Sequence, residues 1–103
     1  MTIPKHIKAF GITWELLLLP VEVALGNTYT GRTEHQELKV SIALGKDYLM
    51  RKTALHELIH VADEHAKIDL TEVQVVRLEN SLFALIQDNQ ELFKWILFGD
   101  TRL

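Results

Sequence analysis

The chain has 103 residues, 48% of them hydrophobic and 24% charged, which is the composition of one small soluble domain covering residues 1–103. Its net charge of −3 argues against a nucleic-acid-binding function, because such proteins need a basic surface. The absence of cysteine excludes disulfides, cysteine-ligated zinc and thiol catalysis, and it fits a cytoplasmic location.

Two strands are predicted near the N-terminus. A short extended piece at Lys5–Phe10 ends at Gly11, and Ile12–Leu19 follows with apolar and polar residues that at first alternate. Trp14 in the second strand is expected to be a core residue. The apolar run that ends this strand is too short to cross a membrane and lacks the features of a signal peptide, so we expect no membrane association.

The middle of the chain predicts a β-hairpin. Val21–Leu25 fits either a helical turn or a short strand. Tyr29–Thr33 and Leu38–Leu44 then form the two predicted arms, and the second arm alternates clearly between apolar and polar residues. His35 lies between the arms and is expected to be a solvated residue at the tip.

Three helices are predicted in the second half of the chain. The first runs from about Tyr48 to about Ala66, with Asp47 as its N-cap. The other two helices are predicted to begin with capping boxes. In a capping box, two residues three apart each accept a hydrogen bond, through the side chain, from the backbone N–H of the other. These boxes are Thr71 with Gln74 and Asp88 with Glu91. The order of strands then helices predicts an α+β fold with a small antiparallel sheet packed against two or three helices.

The last helix is apolar nearly all round over Phe93–Phe98 and is expected to end at Gly99. Such a helix is either well buried or a docking surface. We therefore expect that this helix could support a homo-oligomer.

The first helix carries the pattern H-E-x-x-H at His56–His60. Residues four apart lie on one face of a helix, so His56 and His60 can direct imidazole nitrogens to one metal ion, for which Zn²⁺ is well suited. Glu57 lies about 100° round the helix, where it can act as general base toward a water on the metal. The residues around the pattern are apolar, which argues against two merely solvated histidines: Ala54, Leu55, Leu58, Ile59, Val61 and Ala62.

A catalytic zinc site usually has a third protein ligand, and the spacing leaves several candidates. Asp63 shares the face of the two histidines and could bind the metal, although a hydrogen bond to one histidine is the better interpretation. Glu72 and Glu79 share the apolar face of the second helix. A straight antiparallel hairpin of the two helices favours Glu79, and a large crossing angle favours Glu72. His65 is expected to be exposed, because it points away from this face.

Three segments resemble a known family; they are Thr53–Asp63, Asp69–Leu78 and Gln87–Leu92. The chain is similar there to small phage- and prophage-encoded H-E-x-x-H metallopeptidases, which are loosely akin to the SprT-like and ImmA/IrrE-like groups. The resemblance implies a zincin-like fold and an acidic metal ligand after the Ser/Thr that opens the second helix. That position is Glu72, so the implied metal ligands are His56, His60 and Glu72.

Two functions therefore compete. In the first, the chain is a zinc-dependent peptidase in which Glu57 is the catalytic base, and a peptide or protein substrate pairs with the edge of the strand Leu38–Leu44. In the second, it is a non-catalytic interaction protein in which zinc is structural and the last helix is the docking surface. A structural zinc usually has four protein ligands, whereas a catalytic zinc has an open position, so the ligand count distinguishes them.

Overall fold

The computed structural model describes residues 2–20 and 31–100. It has an α+β fold, as predicted, in which a four-stranded sheet precedes three helices. The strands are β1 (His6–Ala9), β2 (Ile12–Leu19), β3 (Gly31–Glu34) and β4 (Lys39–Ala43). The helices are α1 (Asp47–Ala66), α2 (Glu72–Asp88) and α3 (Gln90–Phe98). The ambiguous segment Val21–Leu25 and the start of the predicted arm at Tyr29 lie outside the described residues.

The sheet is mixed, which corrects the expectation of an antiparallel sheet. Its strand order is β1-β2-β4-β3, and β1 with β2 and β3 with β4 are antiparallel pairs. The central pair of β2 and β4 is parallel, with Leu16 opposite Val40. Alternation along each strand predicts the strands but not which arm of the second hairpin lies beside β2. Because β4 lies beside β2, the central pair is parallel. A meander with β3 beside β2 would have made that pair antiparallel.

The order of strands also corrects the expected position for strand addition. The strand Leu38–Leu44 corresponds to β4, which is hydrogen-bonded on both sides, to β2 and to β3. Its edge is therefore not available to a peptide. Within the described sheet, β3 is the terminal strand on this side.

The core lies between one face of the sheet and α1. Trp14, Val40 and Ile42 on the strands pack with Val61 of α1, and all four are buried. Trp14 is therefore a core residue, as predicted. The core fixes α1 against the sheet, so the motif it carries lies beside β3.

Two of the predicted helix starts need correction. The N-cap of α1 is Lys46 and makes no side-chain cap, while Asp47 is the first helical residue and accepts a 2.8 Å hydrogen bond from Nε of Arg51. The N-cap of α3 is Asn89, also without a side-chain cap, so the predicted box of Asp88 and Glu91 is wrong. Asn89 instead donates from Nδ2 to the carbonyl of Leu85.

The start of α2 is as predicted. The hydroxyl of Thr71 accepts from the backbone N–H of Gln74 at 3.2 Å, and the Gln74 side chain accepts from the backbone N–H of Thr71 at 2.9 Å. Helix α3 ends at Phe98, and the N–H of its C-cap, Gly99, donates to the carbonyl of Trp95. None of the described helices is long and apolar enough to cross a membrane.

Two histidines outside the motif lie against aromatic rings. His35 is half-buried, and its ring meets Trp14 edge-on with centroids 5.8 Å apart, so the expectation of a solvated tip is wrong. Nδ1 of His35 is buried and has no hydrogen-bond partner among the described residues. His65 is exposed, as predicted, and stacks on Phe10 with ring centroids 3.6 Å apart.

Candidate metal centre

The candidate site lies where α1 and α2 pack as an antiparallel helical hairpin. Lys52, His56 and His60 follow one another at intervals of four residues, so they form one stripe along α1. Glu72 and Glu79 lie seven residues apart on α2, with the fully buried Val75 between them. Polar contacts between the two helices join this stripe of α1 to Glu72, Glu79 and Asn80 of α2.

Both histidines of the motif direct Nε2 at Glu72. Nε2 of His56 lies 2.8 Å from Oε1 of Glu72, and Nε2 of His60 lies 3.2 Å from Oε2. One ligand atom from each of these three residues lies within 4.8 Å of the other two. The structure therefore brings together the three residues that were predicted as metal ligands.

Glu79 contacts the same imidazole from the other side. Its Oε1 lies 2.7 Å from Nδ1 of His56, the ring nitrogen that faces away from Glu72. Its Oε2 lies 3.8 Å from Nζ of Lys52. Both candidate carboxylates from the sequence, those of Glu72 and Glu79, thus contact His56, but at different ring nitrogens. Glu79 lies behind this ring, while Glu72 lies where the two Nε2 atoms converge.

Asp63 has a structural contact instead of the expected one. Its Oδ1 accepts a 3.1 Å hydrogen bond from the backbone N–H of Leu70, in the connection between α1 and α2. The interpretation of Asp63 as a hydrogen-bond partner of one histidine is therefore wrong. It closes the loop that sets the register of Glu72 against α1.

Glu57 is buried between α1 and β3. Thr33 of β3 donates a 2.7 Å hydrogen bond from its hydroxyl to Oε1 of Glu57. Gly31 of the same strand leaves room for the carboxylate, since a Cβ at this position would lie 2.8 Å from Oε2 of Glu57. It would also lie 2.5 Å from Cγ2 of Thr53, so a side chain at residue 31 cannot be accommodated without movement.

Burial and charge shift the pKa values of two groups in the site. Burial raises the pKa of Glu57 above its ordinary 4.5, although the hydrogen bond from Thr33 and the charges of the two histidines oppose this. For His56, burial lowers the pKa, but the hydrogen bond to Glu79 and the surrounding carboxylates outweigh it. The pKa of His56 is therefore raised above 6.5, because carboxylates at both ring nitrogens favour the charged imidazolium.

Three residues that contact Glu57 or Glu79 were not predicted from the sequence. Gly31 and Thr33 lie two apart, so they share the face of β3 that meets α1, a pattern that is readable once the strand is assigned. Lys52 precedes His56 by four residues and so had a readable signal on the helix itself. What the sequence could not supply was that β3, rather than β4, lies at the edge beside Glu57.

The chain matches no protein-family model, no curated protein and no solved structure. The resemblance to small metallopeptidases therefore stays a prediction, and the geometry of these residues is what supports a function.

Proposed function

We propose that the chain is a zinc-dependent peptidase that hydrolyses peptide bonds in a peptide or protein substrate, with His56, His60 and Glu72 as metal ligands and Glu57 as general base. The observation that carries the proposal is the convergence of both Nε2 atoms on the carboxylate of Glu72, at 2.8 and 3.2 Å. A cytoplasmic location is part of the proposal, and the absence of cysteine supports it.

The donor set fits zinc. Two neutral imidazoles and one carboxylate are a common set of protein ligands in catalytic zinc sites, which keep a fourth position open. Ligand atoms around a tetrahedral zinc lie ~3.4 Å from one another, given bonds of about 2.0–2.1 Å. The three ligand atoms here lie within 4.8 Å, so side-chain movements on the order of 1 Å would reach that arrangement. The Glu72 side chain is 64% exposed, which leaves the site open to solvent and substrate.

When bound, zinc would lower the pKa of a coordinated water to about 7 and polarise the carbonyl of the substrate. The chain's own contribution to proton transfer is Glu57. Burial raises the pKa of its carboxylate, which makes it a stronger base once it has lost its proton. Thr33 holds one carboxylate oxygen at 2.7 Å and so fixes the direction of the side chain.

In the proposed hydrolysis one proton passes through Glu57. Glu57 takes a proton from the attacking water while the water oxygen bonds to the carbonyl carbon and the π electrons of the carbonyl move to its oxygen. It then gives this proton to the amide nitrogen of the substrate as the carbon–nitrogen bond breaks. The products are a carboxylic acid and an amine, and Glu57 returns to its starting state.

Strand β3 supports a route for an extended substrate. It is the terminal strand on its side of the described sheet, and both Gly31 and Thr33 on it contact Glu57. A peptide that added to the outer edge of β3 would lie next to the strand that contacts the base. Main-chain hydrogen bonds would hold it there, and this mode of binding requires little sequence specificity.

A second candidate is favoured by the exposed apolar residues of α3. Trp95, Leu97 and Phe98 are 59%, 71% and 74% exposed. Aromatic side chains bury about 150–250 Å² each when covered, so this helix could hold a second copy of the chain with zinc in a structural role. Sedimentation of the wild type and of a Trp95→Glu, Phe98→Glu variant tests this candidate. Dimers of the wild type that dissociate in the variant support it, whereas a wild type that stays monomeric at high concentration contradicts it.

The peptidase proposal is tested with a broad peptide library and mass spectrometry. Zinc-loaded wild type should cleave peptides, and Glu57→Gln should lose roughly 10²–10⁴ in rate because the amide accepts no proton. Glu64→Gln, which changes an exposed carboxylate on the same helix, is the control and should keep full activity. Equal cleavage by wild type and Glu57→Gln would show that Glu57 is not the base. No cleavage by wild type, with four protein ligands on its zinc, would favour the structural role.

A further inference from the structure

His56 contacts a carboxylate on each side of its ring, and the two contacts differ in kind. Nε2 faces Glu72 and His60, whereas Nδ1 lies 2.7 Å from Oε1 of Glu79. A carboxylate can only accept a hydrogen bond, so each contact favours an N–H: one on Nδ1 toward Glu79 and one on Nε2 toward Glu72. A neutral imidazole has one N–H, and Glu79 favours it on Nδ1 because the Glu79 side chain is 13% exposed whereas that of Glu72 is 64% exposed. The lone pair is then on Nε2, the atom that faces the proposed metal position.

Glu79 is itself held in place. Its side chain is only 13% exposed, and its second oxygen lies 3.8 Å from Nζ of Lys52, one turn before His56 on α1. Lys52 also donates a hydrogen bond to Oδ1 of Asn80, the residue after Glu79. Lys52 therefore contacts two adjacent residues of α2, Glu79 and Asn80. These contacts restrict rotation of the Glu79 carboxylate away from the His56 ring.

The two histidines differ in this respect. Within the described part of the chain, the ion-pair contact of His60 is with Glu72, through Nε2, and no carboxylate lies against its Nδ1. His56 is thus the histidine whose orientation the protein fixes before any metal arrives. The same helix, α2, supplies both the carboxylate in the site and the carboxylate behind the ring.

We propose that Glu79, held by Lys52, is a positioning residue that fixes the ring orientation and the tautomer of His56 for metal binding. This inference rests on the metal site of the proposed function. Carboxylates that hold a metal-binding histidine through its other nitrogen usually contribute a factor of about 10–100 to metal affinity. Glu79 is expected to contribute within this range, although it does not touch the metal.

The first test is zinc affinity, measured by competition with a chromophoric chelator. Glu79→Ala should bind zinc about 10–100-fold more weakly than wild type. Glu79→Gln should lose less, since its carbonyl oxygen can still accept from Nδ1. Lys52→Met should also weaken binding, through the loosened Glu79. Glu64→Gln removes an exposed carboxylate of α1 and should bind zinc as wild type does.

The second test separates positioning from a merely structural contribution. Nitrogen-15 spectra of the histidine rings in zinc-free protein, at a pH where they are neutral, should show the proton of His56 on Nδ1. In Glu79→Ala and Glu79→Gln the proton should be shared between the two nitrogens or move to Nε2, most of all in the alanine variant. If Glu79→Ala does not fold, Glu79→Gln and Lys52→Met carry both measurements.

The outcomes distinguish this inference from the function it rests on. A wild type that binds zinc, together with folded Glu79 variants that bind it equally well and keep the proton on Nδ1, overturns the positioning role alone. A wild type that binds no zinc overturns the metal site itself. Weaker zinc binding in the Glu79 variants together with a changed tautomer supports the proposal.

Discussion

The hydroxyl of Thr33 donates a 2.7 Å hydrogen bond to the carboxylate of Glu57, and so joins the edge strand β3 to the motif helix α1. Glu57 is otherwise buried, with only 5% of its surface exposed. Burial raises the pKa of its carboxyl, and the hydrogen bond from Thr33 partly reverses this by stabilising the charged form. Thr33 therefore sets both the direction and the proton affinity of the proposed base.

Removing this hydroxyl should raise the pKa of Glu57 further. In Thr33→Val the charged carboxylate loses its hydrogen bond while the side-chain volume is nearly kept, so ionisation becomes harder. Thr33→Ser keeps the hydroxyl and is the matched control. Titration of the Glu57 carboxyl carbon by NMR measures this directly. A pKa in Thr33→Val that equals the wild-type value would mean that the hydrogen bond does not act on the charged form.

Glu57→Gln should stabilise the metal-free protein near neutral pH. The folded-state pKa of Glu57 is above the ordinary 4.5, so wild-type stability falls as the pH rises from 4.5 through the folded pKa. Glutamine does not titrate, so the free energy of unfolding of Glu57→Gln should exceed that of wild type by an amount that grows as the pH rises through this window. The difference should vanish below pH 4.5. Urea unfolding at both ends of the window, in the presence of a chelator, measures the free energy of unfolding. A Glu57→Gln variant less stable than wild type at neutral pH would contradict the burial argument.

Gly31→Ala should destabilise the protein by about 1–3 kcal/mol, the usual cost of overpacking. The added Cβ would lie 2.5 Å from Cγ2 of Thr53 and 2.8 Å from Oε2 of Glu57, both of which belong to buried residues. Gly45→Ala is the control, because nothing lies within 4 Å of a Cβ there. Chemical denaturation of both variants measures the free energies of unfolding. Equal stability of the two would show that β3 and α1 lie further apart than described.

Asp63→Ala and Glu72→Ala should have opposite consequences. Asp63→Ala removes the acceptor for the N–H of Leu70 and should lower stability by about 1–2 kcal/mol while zinc affinity stays close to that of wild type. Glu72→Ala removes an exposed side chain, so metal-free stability should change little while zinc affinity falls. Thermal unfolding in a chelator and zinc competition measure the two effects. Loss of zinc in Asp63→Ala alone would exchange the two assignments.

The helices were largely predictable from local signals. The capping box of Thr71 with Gln74 was correct because both partners lie within one turn, so the sequence contains the whole interaction. The box of Asp88 with Glu91 has the same spacing but failed, since α2 continues through Asp88 and the chain restarts a helix within two residues. A spacing rule cannot foresee how far the preceding helix extends.

The sheet order and the roles of the two glutamates depended on tertiary structure. Strand alternation gives no information about which arm of a hairpin lies beside β2, so the parallel pairing of β2 with β4 was missed. Glu72 and Glu79 share a face by their spacing, but the nitrogen of His56 that each one meets depends on the packing of α1 on α2. The residues of the site could thus be predicted from the sequence, but the contacts between them could not.

The proposed metal site is tested by the zinc content of purified protein after exhaustive dialysis, measured by mass spectrometry of the metal. The wild type should contain about one zinc per chain, and the His56→Ala, His60→Ala double variant should contain none. The Glu72→Ala variant should retain less zinc than wild type, because it loses the carboxylate on which both Nε2 atoms converge. Stoichiometric zinc in the double histidine variant, or no zinc in the wild type even after zinc is supplied, would show that these histidines do not form a zinc site.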